Sequence, residues 1–151
     1  MKAAKDDGRK RVAENRRARH DYEILERFEA GMALLGSEVK SLRAGGCQLV
    51  DSYADVRAGE IFLVGVNIVP YAASSYQNHP PRRDRKLLLH AAEIKRIATK
   101  VREKGLTLIP LMVYFNEGGR AKVEIALAKG RKAYDKRDKI LQRDLDRAAR
   151  E

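Results

Sequence analysis

Residues 106–128, "LTLIPLMVYFNEGGRAKVEIALA", decide how the rest of the chain is read. Two apolar runs, "LTLIPLMVYF" and "RAKVEIALA", flank Asn116-Glu117-Gly118-Gly119. β-Branched and aromatic residues on either side of a glycine-bearing turn predict a β-hairpin. Pro110 has no N–H to give to a ladder, so an edge or a bulge is expected there. Further out, "HDYEILERF" (20–28) alternates. Tyr22, Ile24, Glu26 and Phe28 face one way and Glu23, Leu25 and Arg27 the other, a strand with Glu26 as the one imperfect position on its apolar side. "SYADVRAGEIFLVGVNIV" (52–69) predicts a second hairpin, turning at Ala58-Gly59.

Two helices accompany these strands. In "SEVKSLRAGG" (37–46) Ser37 can cap, Glu38 suits the positive end of the dipole, Val39 and Leu42 share a face, and Gly45 can close the helix. In "AAEIKRIATKVREKG" (91–105) Ile94, Ile97, Ala98 and Val101 recur at helical spacing and Gly105 stops the run. Residues 70–86, with three prolines and a basic end, read as a loop. Several short strands with two helices fit a small, mainly β barrel of the oligonucleotide-binding kind.

The 151 residues suit one domain and carry a formal net charge of +11. That excess is uneven. Residues 1–20 hold eight Lys/Arg against three acids, and residues 129–151 nine against five, whereas the long middle is nearly balanced. Basic ends on a balanced body suggest a polyanionic partner, nucleic acid before membrane. The longest charge-free run, 61–81, is broken by polar residues and prolines and makes no membrane span. Cys47 is the single cysteine, so no intrachain disulfide or thiolate metal site exists; it reads as a semi-buried structural thiol. With no leader pattern at the N-terminus, a cytoplasmic protein is expected.

Catalytic chemistry is thin. His20, His79 and His90 lack ligand spacing and read as surface or loop histidines. No phosphate loop and no nucleophile elbow occur. Neither an enzyme nor a metal or other cofactor is expected. Binding chemistry is better supplied. "NRRARHDY" sets Asn15, Arg16, Arg17, Arg19 and Tyr22 together, and "RRDRKLLL" sets Arg82, Arg83, Arg85 and Lys86 beside three leucines that look exposed. Either run alone could be a solvated loop. Two runs and a basic tail move the balance toward RNA, since arginine offers forked donors to phosphate and a flat face to bases. A general nucleic-acid chaperone or ribosomal protein is the competing reading; a nuclease is disfavoured by the missing metal cluster.

"NRRARHDYEILERFEAGMALLGSEVKSLRAG", "DSY", "RKLLLH", "EKGLTLIPL", "YF" and "KVEIALAKGRKAYDKR" together resemble the SsrA-binding (small protein B) family over residues 15–137. The resemblance implies a closed OB-like antiparallel barrel over 15–130, a flexible basic arm over 1–14, and a basic tail over 131–151 that is disordered when free and helical when bound. It implies a monomeric, non-enzymatic partner of transfer-messenger RNA. Such a factor grips the tRNA-like domain and places its tail in the ribosome's decoding centre, against small-subunit ribosomal RNA, and in the empty message channel. By motif, Asn15, Tyr22, Glu29, Leu88 and Lys122 are implied RNA-binding positions, joined by Arg16, Arg17, Arg19, Arg85 and Lys86 from the basic runs. Lys129, Arg131, Lys132, Tyr134, Asp135, Lys136 and Arg137 are the implied decoding-site contacts. "RAGGCQL" departs from the family pattern by lacking the basic residue and asparagine usual after Arg-Ala-Gly.

Overall fold

The structure, a computed structural model, describes residues 9–71 and 78–130, with Arg19 by its backbone alone. The elements run β1 (Lys10–Glu14), α1 (Ala18–Asp21), β2 (Tyr22–Met32), α2 (Gly36–Arg43), β3 (Cys47–Gln48), β4 (Tyr53–Arg57), β5 (Glu60–Val64), β6 (Asn67–Ile68), β7 (Arg85–Leu88), α3 (Ala91–Lys104), β8 (Thr107–Phe115) and β9 (Ala121–Gly130). A seven-stranded antiparallel sheet has the order β1-β8-β4-β5-β7-β2-β9, and β8 also pairs with β9. The pairings therefore lead from β8 round to β9 and back to β8. β3 and β6 form a separate two-stranded ladder.

The hairpin of β8 and β9 forms as the sequence predicts. Asn116 closes it: its Oδ1 accepts from the Arg120 N–H at 2.9 Å, and Gly119 turns in the left-handed region at φ +77°. The other hairpin turns at Ala58 and Gly59, both at positive φ, the conformation that a two-residue loop of this hand requires. The bulge expected at Pro110 is present. The register slips between Pro110 and Met112, leaving Leu111 as the extra residue.

A second bulge was not foreseen. Between Ile24 and Glu26 the β2–β9 register slips, so Leu25 is the inserted residue. Side chains alternate with period two, so one extra residue moves everything before it to the other face. Tyr22 and Ile24 thus leave the side occupied by Phe28 and Ala30. They pack with Ala18, Ile109, Leu111, Ala126 and Ala128 in a small second cluster. The main core lies on the opposite face, around Phe28, Ala30, Ile61, Leu63, Leu87, Val113, Ile125 and Leu127. Glu26, opposite Leu127, stays on the core side, where α3 meets it: Arg96 and Lys100 reach its carboxylate at 2.8 and 3.3 Å.

α3 seats Ile97 fully in the core, with Ile94 and Val101 packed against it, and ends at Gly105 in the left-handed conformation. α2 differs from expectation at its start. Its N-cap is Leu35, whose N–H donates to Glu38 Oε1 at 2.8 Å, while Ser37 Oγ bonds His79 Nδ1 at 2.9 Å instead of capping. Leucine has no side-chain acceptor, so only the glutamate half of a capping box operates. The expected arm over 1–14 also needs correction at its inner end, because residues 10–14 are β1, paired with β8. That strand is held by backbone bonds to Met112–Phe115, which demand no apolar alternation in its own sequence. The loop expected over 70–86 likewise ends at Asp84, since Arg85 opens β7.

Glu38 and Arg85 are both without exposure. Arg85 Nε donates to Glu38 Oε2 at 2.6 Å, and its other nitrogens donate to the Val66 and Pro81 carbonyls at 2.8 and 3.0 Å. Arg83 Nη2 donates to Glu38 Oε1 at 2.6 Å. Burial alone would raise the carboxyl's pKa. Bonds from Arg83, the Leu35 N–H and Arg85 outweigh it and hold Glu38 below the usual carboxylate value.

Arg85→Met removes the buried partner of this carboxylate and leaves it Arg83 and the Leu35 N–H, and urea denaturation is expected to show a loss of about 3 kcal/mol. Glu38's depressed pKa stabilises the fold above the unfolded value of about 4.3, and this contribution disappears as pH falls through the native value. Stability of the parent protein measured from pH 6 to pH 2 should therefore fall more steeply than that of Glu38→Gln.

Candidate nucleic-acid interface

Directly opposed residues of antiparallel strands share a face. Tyr114 of β8 opposes Lys122 of β9, Lys122 opposes Gly31 of β2, and Gly31 opposes Leu88 of β7. These four make one row across four strands, on the side away from the core. In the next row Glu29 opposes Glu124. Gly31 lies close under its neighbours in this row. A Cβ there would stand 3.4 Å from the Leu88 Cβ and 3.8 Å from Lys122 Nζ. Leu88 is 53% exposed while Leu87 is buried, so Leu88 presents an apolar surface to solvent instead of filling the core.

Glu29 is held from behind. The Tyr114 hydroxyl donates to Glu29 Oε2, and the Arg9 guanidinium lies over the Tyr114 ring, 5.0 Å from its centroid. Arg9 and Arg27 also approach Glu124, at 3.9 and 3.6 Å. One half-buried lysine, one exposed leucine and one oriented carboxylate therefore meet on a surface bordered by arginines. Lysine can neutralise a phosphate, leucine can cover an unstacked base, and a carboxylate can accept from base amino groups or a ribose 2′-hydroxyl. Tyr114, Gly31 and Arg9 are additions to the sequence-based set. Counting back through the Asn116–Gly119 turn would have paired Tyr114 with Lys122; nothing local marks Arg9.

The other implied residues gather elsewhere. Asn15, Arg16, Arg17 and Tyr22 line a cavity of about 300 Å³ together with Asp51 and Ser52. Asn15 serves the backbone: its N–H donates to the Leu111 carbonyl at 2.8 Å and its Nδ2 to the Pro110 carbonyl at 3.0 Å, pinning the β8 bulge. Arg16 and Arg17 are exposed. Tyr22 is half-buried against the second cluster, opposite Gly130. At about 3.3 Å per residue, Tyr22 lies roughly 30 Å along β2 from Gly31, so the implied residues form two groups, one at each end of the strand.

The "RRDRK" run requires correction. Arg85 has no exposure and is spent on Glu38, so it has no surface to offer RNA. Arg83 is tied to the same carboxylate, and Asp84 to Arg57 at 2.8 Å. The run is mostly internal wiring, because a buried carboxylate needs its cations. Lys86 is exposed and pairs with Glu60, a surface contact of small worth. Lys129 lies on β9, opposite Glu23. Arg131, Lys132, Tyr134, Asp135, Lys136 and Arg137 lie outside the described residues, as does the side chain of Arg19.

His79 is buried, against expectation, bonded to Ser37 and at 2.7 Å to the Ile68 carbonyl, whereas His20 and His90 are exposed. Burial pushes the Cys47 thiol up to about 11, which suits an inert structural cysteine. Among the described residues no cluster of His, Cys, Asp and Glu could hold a metal, and no helix is long and apolar enough to cross a membrane. In "RAGGCQL" the position of Gly46 is tightly enclosed. A Cβ there would stand 2.4 Å from Val69 Cγ2 and 2.7 Å from Ser41 Oγ, so no side chain fits without displacing them.

The family model described as "SmpB protein" matches residues 12–151. An "SsrA-binding protein" of Solidesulfovibrio magneticus is 57% identical over 150 residues, 99% of this chain and 97% of its own length. One from Salinispora arenicola is 58% identical over 143 residues, 95% of this chain and 89% of its own. A solved chain described as "tmRNA-SmpB: a journey to the center of the bacterial ribosome" superposes with a TM-score of 0.65 at 59% identity, covering 78% of this chain and 82% of that one.

Burial and the Glu29 carboxylate both hold the Tyr114 phenol above the ordinary tyrosine range, with Arg9 opposing. NMR titration of ring-labelled protein should show Tyr114 ionising above the ordinary tyrosine value of about 10, and Glu29→Gln should bring it down. A raised phenol pKa stabilises the fold below the unfolded value of about 10, and that contribution is lost as pH climbs through the native value.

Proposed function

The chain belongs to the SmpB protein family; from that premise we propose that it is an RNA-binding factor of trans-translation, working with transfer-messenger RNA on the stalled ribosome. The observation that carries this reading is the 57% identity with an SsrA-binding protein over 99% of the chain. The geometry supports a division of labour within it. The circuit of pairings is a closed, OB-like barrel whose outer row, Lys122, Gly31 and Leu88 with Glu29 beside it, takes the tRNA-like domain. Lys122 meets phosphate, Leu88 covers a splayed base, and Glu29 reads donors that a bare phosphate surface would ignore. That discrimination is what a dedicated RNA partner requires.

β9 ends at Gly130 beside Tyr22, eight residues or roughly 25 Å from Lys122. The tail thus leaves the body at the end remote from the Glu29 row. From Arg131 to Arg137 it carries Lys132, Tyr134, Asp135 and Lys136 toward the decoding centre, with Lys129 at its root. Beyond that, Leu141, Leu145 and Ala148 make a thin apolar stripe. Burying it contributes a few kcal/mol at most, against about 1–2 kcal/mol per residue for ordering the segment. Ordering the segment therefore depends on a partner whose phosphates neutralise its lysines and arginines, and ribosomal RNA supplies them. The protein acts in the cytoplasm as a monomer, and its work is placement, with no bond made or broken.

RNA copurifying with the protein should be dominated by one species, transfer-messenger RNA; a broad mixture would favour a general chaperone instead. Lys122→Ala should weaken capture of the tRNA-like domain by about tenfold or more, as removal of a good charged hydrogen bond does. Deleting residues 131–151 should leave capture within about twofold while abolishing peptide tagging on stalled ribosomes. Loss of capture on that deletion would overturn the division between body and tail.

A further inference from the structure

A groove of about 570 Å³ lies where β1, the end of α2 and the β8–β9 turn meet. Its floor is apolar, from Val12, Leu42 and Phe115, and its walls carry Lys10, Arg11 and Arg43. The size falls within the roughly 300–1,000 Å³ of pockets that hold small organic groups. Glu117, on the turn, is the one carboxylate in the lining.

The cations are arranged for an incoming anion. Arg43 lies over the Phe115 ring, 5.5 Å from its centroid, so its planar group is held in place without a carboxylate. Among the described residues neither Arg43 nor Lys10 has an ion-pair partner, and Arg11 has only Glu14 at 3.7 Å, with both side chains exposed. The last carbonyls of α2 do not compete. Those of Lys40, Ser41 and Leu42 are taken by the N–H groups of Ala44, Gly45 and Gly46. The Arg43 guanidinium, stacked on the buried Phe115 ring, presents its outer face to an unstacked base, and its donors and the Lys10 ammonium suit the phosphate.

Continuity argues for the source of that nucleotide. Arg11 opposes Tyr114 and Lys10 opposes Phe115, while Arg9 covers the Tyr114 ring. β1 therefore carries cations on both faces, Arg9 and Arg11 beside the Glu29–Lys122 row and Lys10 on the groove side, so that one strand edge separates the two. We infer that the groove is a second RNA subsite, holding an unstacked nucleotide and its phosphates from the same transcript that the Glu29–Lys122 row grips. This rests on the function proposed above. An acidic protein segment is the competing occupant, but it makes no use of a guanidinium stacked on an aromatic ring beside an RNA-binding row.

The test uses the full chain, with affinity for the isolated tRNA-like domain measured across salt concentration. Lys10→Gln/Arg43→Gln is expected to bind roughly 5- to 20-fold more weakly near 0.15 M salt. Its dependence of log affinity on log salt should be shallower by about 0.9 for each phosphate that is no longer neutralised, roughly one or two phosphates in all. Arg43→Lys should keep the parent's salt slope while recovering part of the affinity, because charge survives and the stacked fork does not. A photo-crosslinking residue at position 10 should attach to transfer-messenger RNA in the assembled complex. Unchanged affinity and slope in the double variant, or a crosslink only to protein or to ribosomal RNA, overturns the subsite. Those failures leave the proposed function standing so long as the parent retains this RNA over an elongator tRNA and Lys122→Ala does not. A parent that fails to discriminate the two RNAs overturns both.

Discussion

One carboxylate with no access to water organises much of this chain. Glu38 draws Arg83 and Arg85 toward α2, caps the Leu35 N–H, and thereby fixes where the long connection after β6 rejoins the sheet. Burying a charge is expensive unless it is paired and fully hydrogen-bonded, so the alternatives to this arrangement are costly. The consequence reaches the surface. With Arg85 held inward, the two-residue alternation of β7 puts Lys86 outward, Leu87 in the core and Leu88 outward. The exposed leucine of the outer row is therefore set by an ion pair on the other side of the sheet.

The second organising constraint is the pair of bulges flanking β9. Leu111 and Leu25 are single extra residues on the two strands that border it. Between them they let β9 serve two cores, with Val123, Ile125 and Leu127 on one face and Ala126 and Ala128 on the other. The residues N-terminal to Leu25 face the small cluster, and Tyr22 ends up opposite Gly130, where β9 ends. Asn15 holds one bulge through the Pro110 and Leu111 carbonyls, so a position that the family motif marks for RNA has a structural task as well.

The two ends of β2 consequently carry different work. At one end Glu29, Lys122 and Leu88 meet around a glycine, and Arg11 of β1 extends that row beyond Tyr114. At the other, Tyr22 and Gly130 mark where the basic tail begins. Charge follows the same division. The middle of the chain is nearly neutral because its acids almost equal its arginines and lysines in number, and some of them pair, as with Arg83, Arg85 and Arg96. The surplus of positive charge is at the ends of the sequence.

Local pattern was enough for the hairpins, for α3 with its Gly105 stop, for the bulge at Pro110, and for the family, since each depends on residues within one turn, one strand or one motif. It was not enough for the arginine run at 82–86 or for the alternation of 22–28. Whether an arginine is an RNA contact or the partner of a buried glutamate depends on a carboxylate 47 residues away, and which face Tyr22 takes depends on a slip against β9. Sequence alone determined the hairpins, α3 and the basic ends, because periodicity, turn chemistry and charge are properties of neighbouring residues. Register and burial belonged to the tertiary structure, because they arise only where distant strands pair and exclude water, and they decided which of the named side chains stand together on the surface.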